Sequence, residues 1–166
     1  LGHPFSLADV LCYAGCMFNE MRRDAQALKD HAEELMRLAN EKVPGWSGPG
    51  TCFWGEALAM LGQVQEGMAQ MRGGMAALQS AGRLRYWPGR LCAKAEAQAK
   101  AGQLGEGPTT LFEALAIVEE TDERYFEAEL YRLKGVGTEY AELAYHSPVP
   151  PGRMPTHSLI GPDHTC

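Results

Sequence analysis

The chain has 166 residues, 45% of them hydrophobic, and a formal net charge of -6, values that fit one acidic globular domain. The negative charge repels phosphate backbones and argues against nucleic-acid binding, and no apolar run approaches the roughly 20 residues that span a bilayer. With five cysteines and no basic-then-apolar signal segment near Leu1, we expect reduced thiols and a cytoplasmic protein.

Helical periodicity runs along most of the chain. Apolar residues recur at three- and four-residue steps, residue types that favour helices are abundant, and alternating β-branched runs are absent. The predicted helices cover residues 7–21, 24–41, 52–61, 64–80, 89–101, 108–120 and 124–145. The sequence therefore predicts an all-α domain over residues 1–146, followed by a proline-rich irregular tail over residues 147–166.

Glycines and prolines mark the predicted helix boundaries. Gly62 and Gly102 stand where a glycine can adopt the left-handed conformation that ends a helix, and Pro108 suits a first helical turn. The segment 43–50 is rich in glycine and proline and is predicted as a loop between two helix pairs.

A forty-residue repeat relates the predicted helices. Leu61–Gly67 reads LGQVQEG and returns as AGQLGEG at Ala101–Gly107. The same displacement aligns Cys12, Cys52 and Cys92; Gly15, Gly55, Ala95 and Gly135; and Trp46, Tyr86 and Phe126. One helix pair cannot cover its own apolar face, so we expect three stacked pairs and a final helix.

The small residues of this register lie where the tetratricopeptide repeat (TPR) pattern places its first-helix glycine, and the repeat resembles that family. More narrowly, Gly55–Leu78 and Glu119–Gly135 resemble the C-terminal repeats of large bacterial regulatory ATPases joined to adenylate/guanylate cyclase or transcription-activator modules. The resemblance implies a right-handed TPR-like solenoid of antiparallel helix pairs. The forty-residue period exceeds the roughly 34 residues of ordinary TPRs, and we attribute the excess to loops between pairs.

The resemblance also implies a function. First helices of TPR proteins line a concave groove, and the corresponding partner-binding residues are Cys52, Glu56, Met60, Cys92, Glu96, Lys100, Arg132 and Tyr140. Glu56 and Glu96 would favour a basic side chain of a protein or peptide partner. We therefore expect a non-catalytic protein–protein interaction scaffold, a regulatory segment or relic of a larger bacterial regulator. The alternatives are a sensor that binds a small molecule in the groove, and a self-associating homodimer module.

No motif for catalysis, cofactor or metal binding stands out. A P-loop is missing, and no histidine converges on a candidate thiol nucleophile. Cys12 and Cys16 share a helix face, but the recurrence of Cys12 in the repeat indicates packing. The tail residues His157, His164 and Cys166 could hold a metal only adventitiously. The sequence therefore predicts no enzyme, no cofactor and no metal site.

Overall fold

The computed structural model describes residues 3–103 and 105–135, and within these ranges the regular elements are helical, with no strand. The predicted all-α class is therefore confirmed. Helix α1 runs through Pro4–Asp9, a π-helical stretch Val10–Met17 and Phe18–Met21; the others are α2 (Ala25–Glu41), α3 (Ser47–Met60), α4 (Val64–Ser80), α5 (Trp87–Lys100), α6 (Glu106–Thr121) and α7 (residues 127–135). The predicted tail and the end of the predicted last helix lie outside the described residues.

Helix α3 begins at Ser47, inside the segment predicted as a loop. The 3-10 turn Pro44–Trp46 leads directly into it, and Pro49 lies in its first turn, where the missing N–H costs no hydrogen bond. Gly50 allows close packing, because a Cβ there would lie 2.7 Å from Cγ of Met36. The glycines and prolines of this segment thus serve helix initiation and packing rather than a loop.

Consecutive helices pack as antiparallel pairs, α1 with α2, α3 with α4 and α5 with α6. In the second pair, Gly55 lies against Gly67, and Cys52, nearer the start of α3, lies against Gly74. Contacts therefore run forward along α3 and backward along α4. Helix α3 also packs on α2, and α5 on α4, so each pair is joined to the next.

Residues forty apart occupy similar environments. Cys12, Cys52 and Cys92 are all buried in the core. Burial raises the pKa of Cys12 to about 11 and that of Cys52 to about 12, so these thiols stay protonated and unreactive at neutral pH. Gly15 likewise lies against His31 at the α1–α2 crossing, as Gly55 does against α4. The repeated cysteines and small residues are packing positions.

The backbone of α1 differs from that of α3 and α5. Gly15 lies eight residues before Arg23, the left-handed residue that ends the α1 side of its hairpin, whereas Gly55 lies only seven before the left-handed Gly62. A π-helical turn holds more residues than an α-helical turn. The π-helical stretch of α1 therefore accommodates the additional residue without breaking the helix.

Two adjacent glycines of α4 should respond in opposite ways to alanine. A Cβ on Gly74 would lie 2.7 Å from the backbone N of Cys52, whereas a Cβ on Gly73 meets nothing within 4 Å. We expect Gly74→Ala to lower the free energy of unfolding by about 1–3 kcal/mol through overpacking. Gly73→Ala should raise it by about 0.5–1 kcal/mol, because alanine loses less entropy in a helix. Urea unfolding measures both, and a destabilised Gly73→Ala would contradict the packing.

Candidate functional site

Charged side chains from the first helices of successive pairs meet on one surface. This charged strip, as we call it, consists of Glu20, Arg23, Glu56, Arg90, Glu96, Lys100, Glu129 and Arg132, four carboxylates and four cations joined by ion pairs. They come from α1 and the turn after it, α3, α5 and α7. The strip thus connects elements that lie far apart in the sequence.

The inner part of the strip is a buried triad. The Arg90 guanidinium donates from Nη2 to both carboxylate oxygens of Glu20, at 2.7 and 2.6 Å, and from Nη1 to Oε2 of Glu56 at 3.2 Å. Its central carbon also lies 4.1 Å from the ring centroid of Phe53. The three charged side chains are each only 7–8% exposed. One arginine therefore serves two buried carboxyl groups.

This imbalance perturbs the pKa of both glutamates. Burial raises the pKa of Glu56 well above its usual range, and the negative charge of Glu20 raises it further, against the attraction of Arg90. Burial also raises the pKa of Glu20, opposed by Arg90 and by a hydrogen bond from Glu56. A carboxyl group donates only when it is protonated. The arrangement therefore favours an ionised Glu20, held in two hydrogen bonds, beside a Glu56 that retains its proton.

The outer part of the strip is centred on Glu96. Its Oε1 and Oε2 accept hydrogen bonds from Arg23 at 2.5 and 2.6 Å, and Lys100 Nζ lies 3.0 Å from Oε1. Arg23 also reaches Glu129 at 3.7 Å. Partial burial acts to raise the pKa of Glu96, but the hydrogen bonds from Arg23 and Lys100 outweigh it and lower this pKa to about 2. Glu96 is therefore ionised and paired within the chain.

Arg23 holds this position at a conformational cost. Its φ is 59°, and the left-handed residues at the corresponding turns after α3 and α5 are Gly62 and Gly102. A side chain in the left-handed region costs about 1–2 kcal/mol relative to the right-handed helix. The forked hydrogen bonds to Glu96 offset that cost and explain an arginine where glycine is otherwise used.

The structure divides the predicted partner-binding residues into two groups. Glu56, Cys52 and Cys92 are buried, and Met60 is half-buried against the α1–α2 core. Glu96, Lys100 and Arg132 belong to the outer strip, with Lys100 and Arg132 exposed at 36% and 51% of their side-chain areas. Tyr140 lies outside the described residues. Whether these residues bind a partner stays a prediction, but only the outer group faces solvent.

Sequence reasoning missed half of the strip. Glu20, Arg23, Arg90 and Glu129 were not among the candidates, although Arg90 and Glu20 are each the lone charge in a largely apolar stretch. A lone charge on an apolar helix is a signal that it needs a buried partner, since unpaired burial is costly. The sequence shows that signal but not which partner satisfies it.

A small cavity lies next to the triad. It measures about 60 Å³ and is lined by residues that include Tyr13, Trp46, Arg83, Tyr86 and Arg90. The buried indole N–H of Trp46 has no hydrogen-bond acceptor within the described part of the chain. Pockets for metabolites usually measure about 300–1,000 Å³, so this cavity is too small for one. It lends no support to the small-molecule sensor, which stays a prediction.

Two other kinds of feature were sought among residues 3–103 and 105–135. No group of three or more histidine, cysteine or acidic side chains is arranged to hold a metal ion there. No helix in these ranges combines the length and apolarity needed to cross a membrane. His157, His164 and Cys166 lie outside the described residues.

The two glutamates of the triad should differ in their contribution to stability. Glu56→Gln keeps an acceptor for Arg90 and removes a carboxyl group that is costly to ionise, so we expect unfolding free energy at pH 7 to stay within about 1 kcal/mol of wild type or to rise. Glu20→Gln should lower it by about 1–3 kcal/mol, because two charge-assisted hydrogen bonds are lost. Arg90→Met should cost about 3–5 kcal/mol by leaving both carboxyls unpaired. Equal losses for both glutamine variants in urea unfolding would contradict this assignment.

The same triad predicts a pH dependence. A carboxyl whose pKa is raised on folding stabilises the protein most below its unfolded pKa of about 4.5, and this contribution is lost as pH rises through the folded pKa. The advantage of Glu56→Gln over wild type should therefore grow as the pH is raised above 4.5. Glu96 acts oppositely between pH 4.5 and about 2, but it is present in both proteins and cancels. A difference in melting temperature independent of pH would refute a protonated Glu56.

Comparison with protein-family models gave no match, and comparisons with curated proteins and with solved structures likewise gave none. What the chain does must therefore be argued from its own residues and their geometry.

Proposed function

We propose that this chain is a non-catalytic scaffold for protein–protein interaction, built as a TPR-like array of helix pairs. The observation that carries the proposal is the charged strip, in which first helices from successive pairs present their side chains to one surface. Arg23 reaches Glu96, 73 residues away, and Glu129 as well. Such convergence is expected when stacked pairs curve around an inner face.

The repeated packing supports a TPR-like array. The three first-helix cysteines are buried alike, and Gly15 and Gly55 both lie at a crossing with the second helix. Antiparallel pairs joined to their neighbours are the architecture that such a repeat requires. The further proposal, that the chain acts as a regulatory segment of a larger bacterial regulator, is supported only by the sequence resemblance.

The strip offers a partner its outer cations rather than Glu56. Arg90 already supplies the basic group that Glu56 was expected to attract, and Arg23 supplies it for Glu96. A basic partner would have to displace these intramolecular pairs. Lys100 and Arg132 are more exposed than Glu96 and project donors toward solvent. We propose that these two side chains make the first polar contacts with an extended partner segment.

Removal of both exposed cations should weaken partner binding without unfolding the protein. Peptides selected from a displayed random library against the wild-type chain provide the ligands. We expect Lys100→Ala/Arg132→Ala to raise their dissociation constants about tenfold or more, equivalent to about 1.4 kcal/mol, by calorimetric titration. Only surface ion pairs are lost, so the melting temperature should change little.

The matched control is Arg72→Ala, since Arg72 is an exposed arginine on α4 that makes no ion pair within the described residues. It should leave binding unchanged. Selected peptides that bind the double variant as tightly as wild type would move the binding surface elsewhere. A library that yields no binder at all would argue against a peptide-binding scaffold.

A further inference from the structure

The outer face of α1 is apolar along its whole length. The exposed residues between positions 7 and 21 are Leu7, Val10, Ala14, Phe18 and Met21, which we call the apolar seam. The four large side chains are 43%, 58%, 52% and 49% exposed. A helix that faces water normally shows charged or polar residues there, so a continuous apolar face indicates a surface that is covered by another element.

Helix α2 provides the contrast within the same chain. Its exposed residues are all polar or charged, namely Gln26, Asp30, Glu33, Arg37, Asn40 and Glu41. Arg37 forms ion pairs with Glu34 and Glu41, as expected for a helix face in water. The apolar seam is therefore a property of α1 rather than of the chain's surface in general.

The corresponding face of the next first helix is an interface with a helix. Forty residues beyond Val10 and Ala14 lie Gly50 and Trp54. Gly50 packs closely on Met36 of α2, and the indole of Trp54 donates to Glu33 of α2 at 3.2 Å. By this register, the apolar seam is the face on which a first helix receives a neighbouring helix. The occupant that fits the seam is thus another amphipathic helix.

The spacing of the seam points to a second copy of α1 as that helix. Its positions are separated by three, four, four and three residues, a pattern that is symmetric about Ala14. An antiparallel copy related by a twofold axis at Ala14 places Leu7 against Met21 of the second copy and Val10 against Phe18. The small residue at the axis lets the two helices approach closely, with a large apolar pair on either side.

The π-helical stretch keeps this face continuous. In a π-helix successive turns contain more than four residues, so the four-residue steps from Val10 to Ala14 and from Ala14 to Phe18 stay close to one line. The same twofold operation places the exposed Arg22 opposite Ser6 rather than opposite a like charge. We propose that this chain forms a homodimer through the apolar seam, with α1 packed antiparallel against α1 of the second copy.

Sedimentation equilibrium tests the dimer directly. We expect a mass twice the 18.1 kDa of one chain at micromolar concentration. Ala14→Glu places a charge at the axis and should weaken association at least about a hundredfold, whereas the matched exposed alanine change Ala69→Glu on α4 should leave it unchanged. A monomer at all concentrations, or equal behaviour of the two variants, overturns the proposal.

Engineered cysteines test the geometry independently of any charged variant. The four described native thiols are buried, so the background needs only Cys166→Ser. A disulfide requires Cα atoms within roughly 7 Å, so Ala14→Cys should cross-link on mild oxidation at least about tenfold faster than Ala69→Cys. Leu7→Cys should not cross-link alone but should do so when combined with Met21→Cys. Efficient cross-linking of Leu7→Cys alone would indicate a parallel arrangement and overturn the twofold model.

The dimer and the partner-binding surface can fail separately. The apolar seam shares no residue with the charged strip, so Lys100→Ala/Arg132→Ala should sediment as the wild type does. Loss of the dimer in that variant would show that the strip, and not the seam, joins the two copies, and would overturn the assignment to α1.

Discussion

The buried pairing of Arg90 with Glu20 and Glu56 is the constraint on which the arrangement of the helix pairs depends. Arg90 belongs to α5, Glu20 to α1 and Glu56 to α3, so one guanidinium connects three first helices. Apolar packing alone lets helices slide with modest loss, but a buried charge without its partner costs several kcal/mol. Any displacement that separates Arg90 from Glu20 is therefore disfavoured far more strongly than a loss of apolar contact. The triad fixes how the first helices face one another.

Small residues make that constraint attainable. Gly55 and Gly67 bring α3 and α4 so close that a Cβ on either would meet the backbone of the other helix. This close approach sets the position of each first helix on its own pair, and the triad then sets the pairs relative to one another. The turn residue Arg23 extends the same ionic surface to Glu129 of α7. Backbone contact within pairs and charge contact between them thus act together.

Two surfaces with opposite chemistry result from this arrangement. The charged strip has paired its own charges in its buried part and exposes Lys100 and Arg132 at its outer part. The apolar seam on the outside of α1 exposes no charge between positions 7 and 21. The first suits polar recognition of an extended segment, and the second suits burial against a helix. A scaffold that joins two copies and offers a separate surface to a partner combines both.

The sequence alone determined the helical class, nearly all helix boundaries and the packing role of the small residues and cysteines, because helix periodicity and turn chemistry depend on neighbours a few residues apart. It misplaced the start of α3, since glycine and proline at residues 48–50 act there in helix initiation and packing. Only the tertiary structure decided which side chains of the first helices face solvent. Glu56 and Lys100 both fit a groove pattern, but Glu56 is buried by Arg90, 34 residues away, and Glu20 meets Arg90 across 70 residues. Such pairings depend on the three-dimensional path of the chain, and no local pattern encodes them.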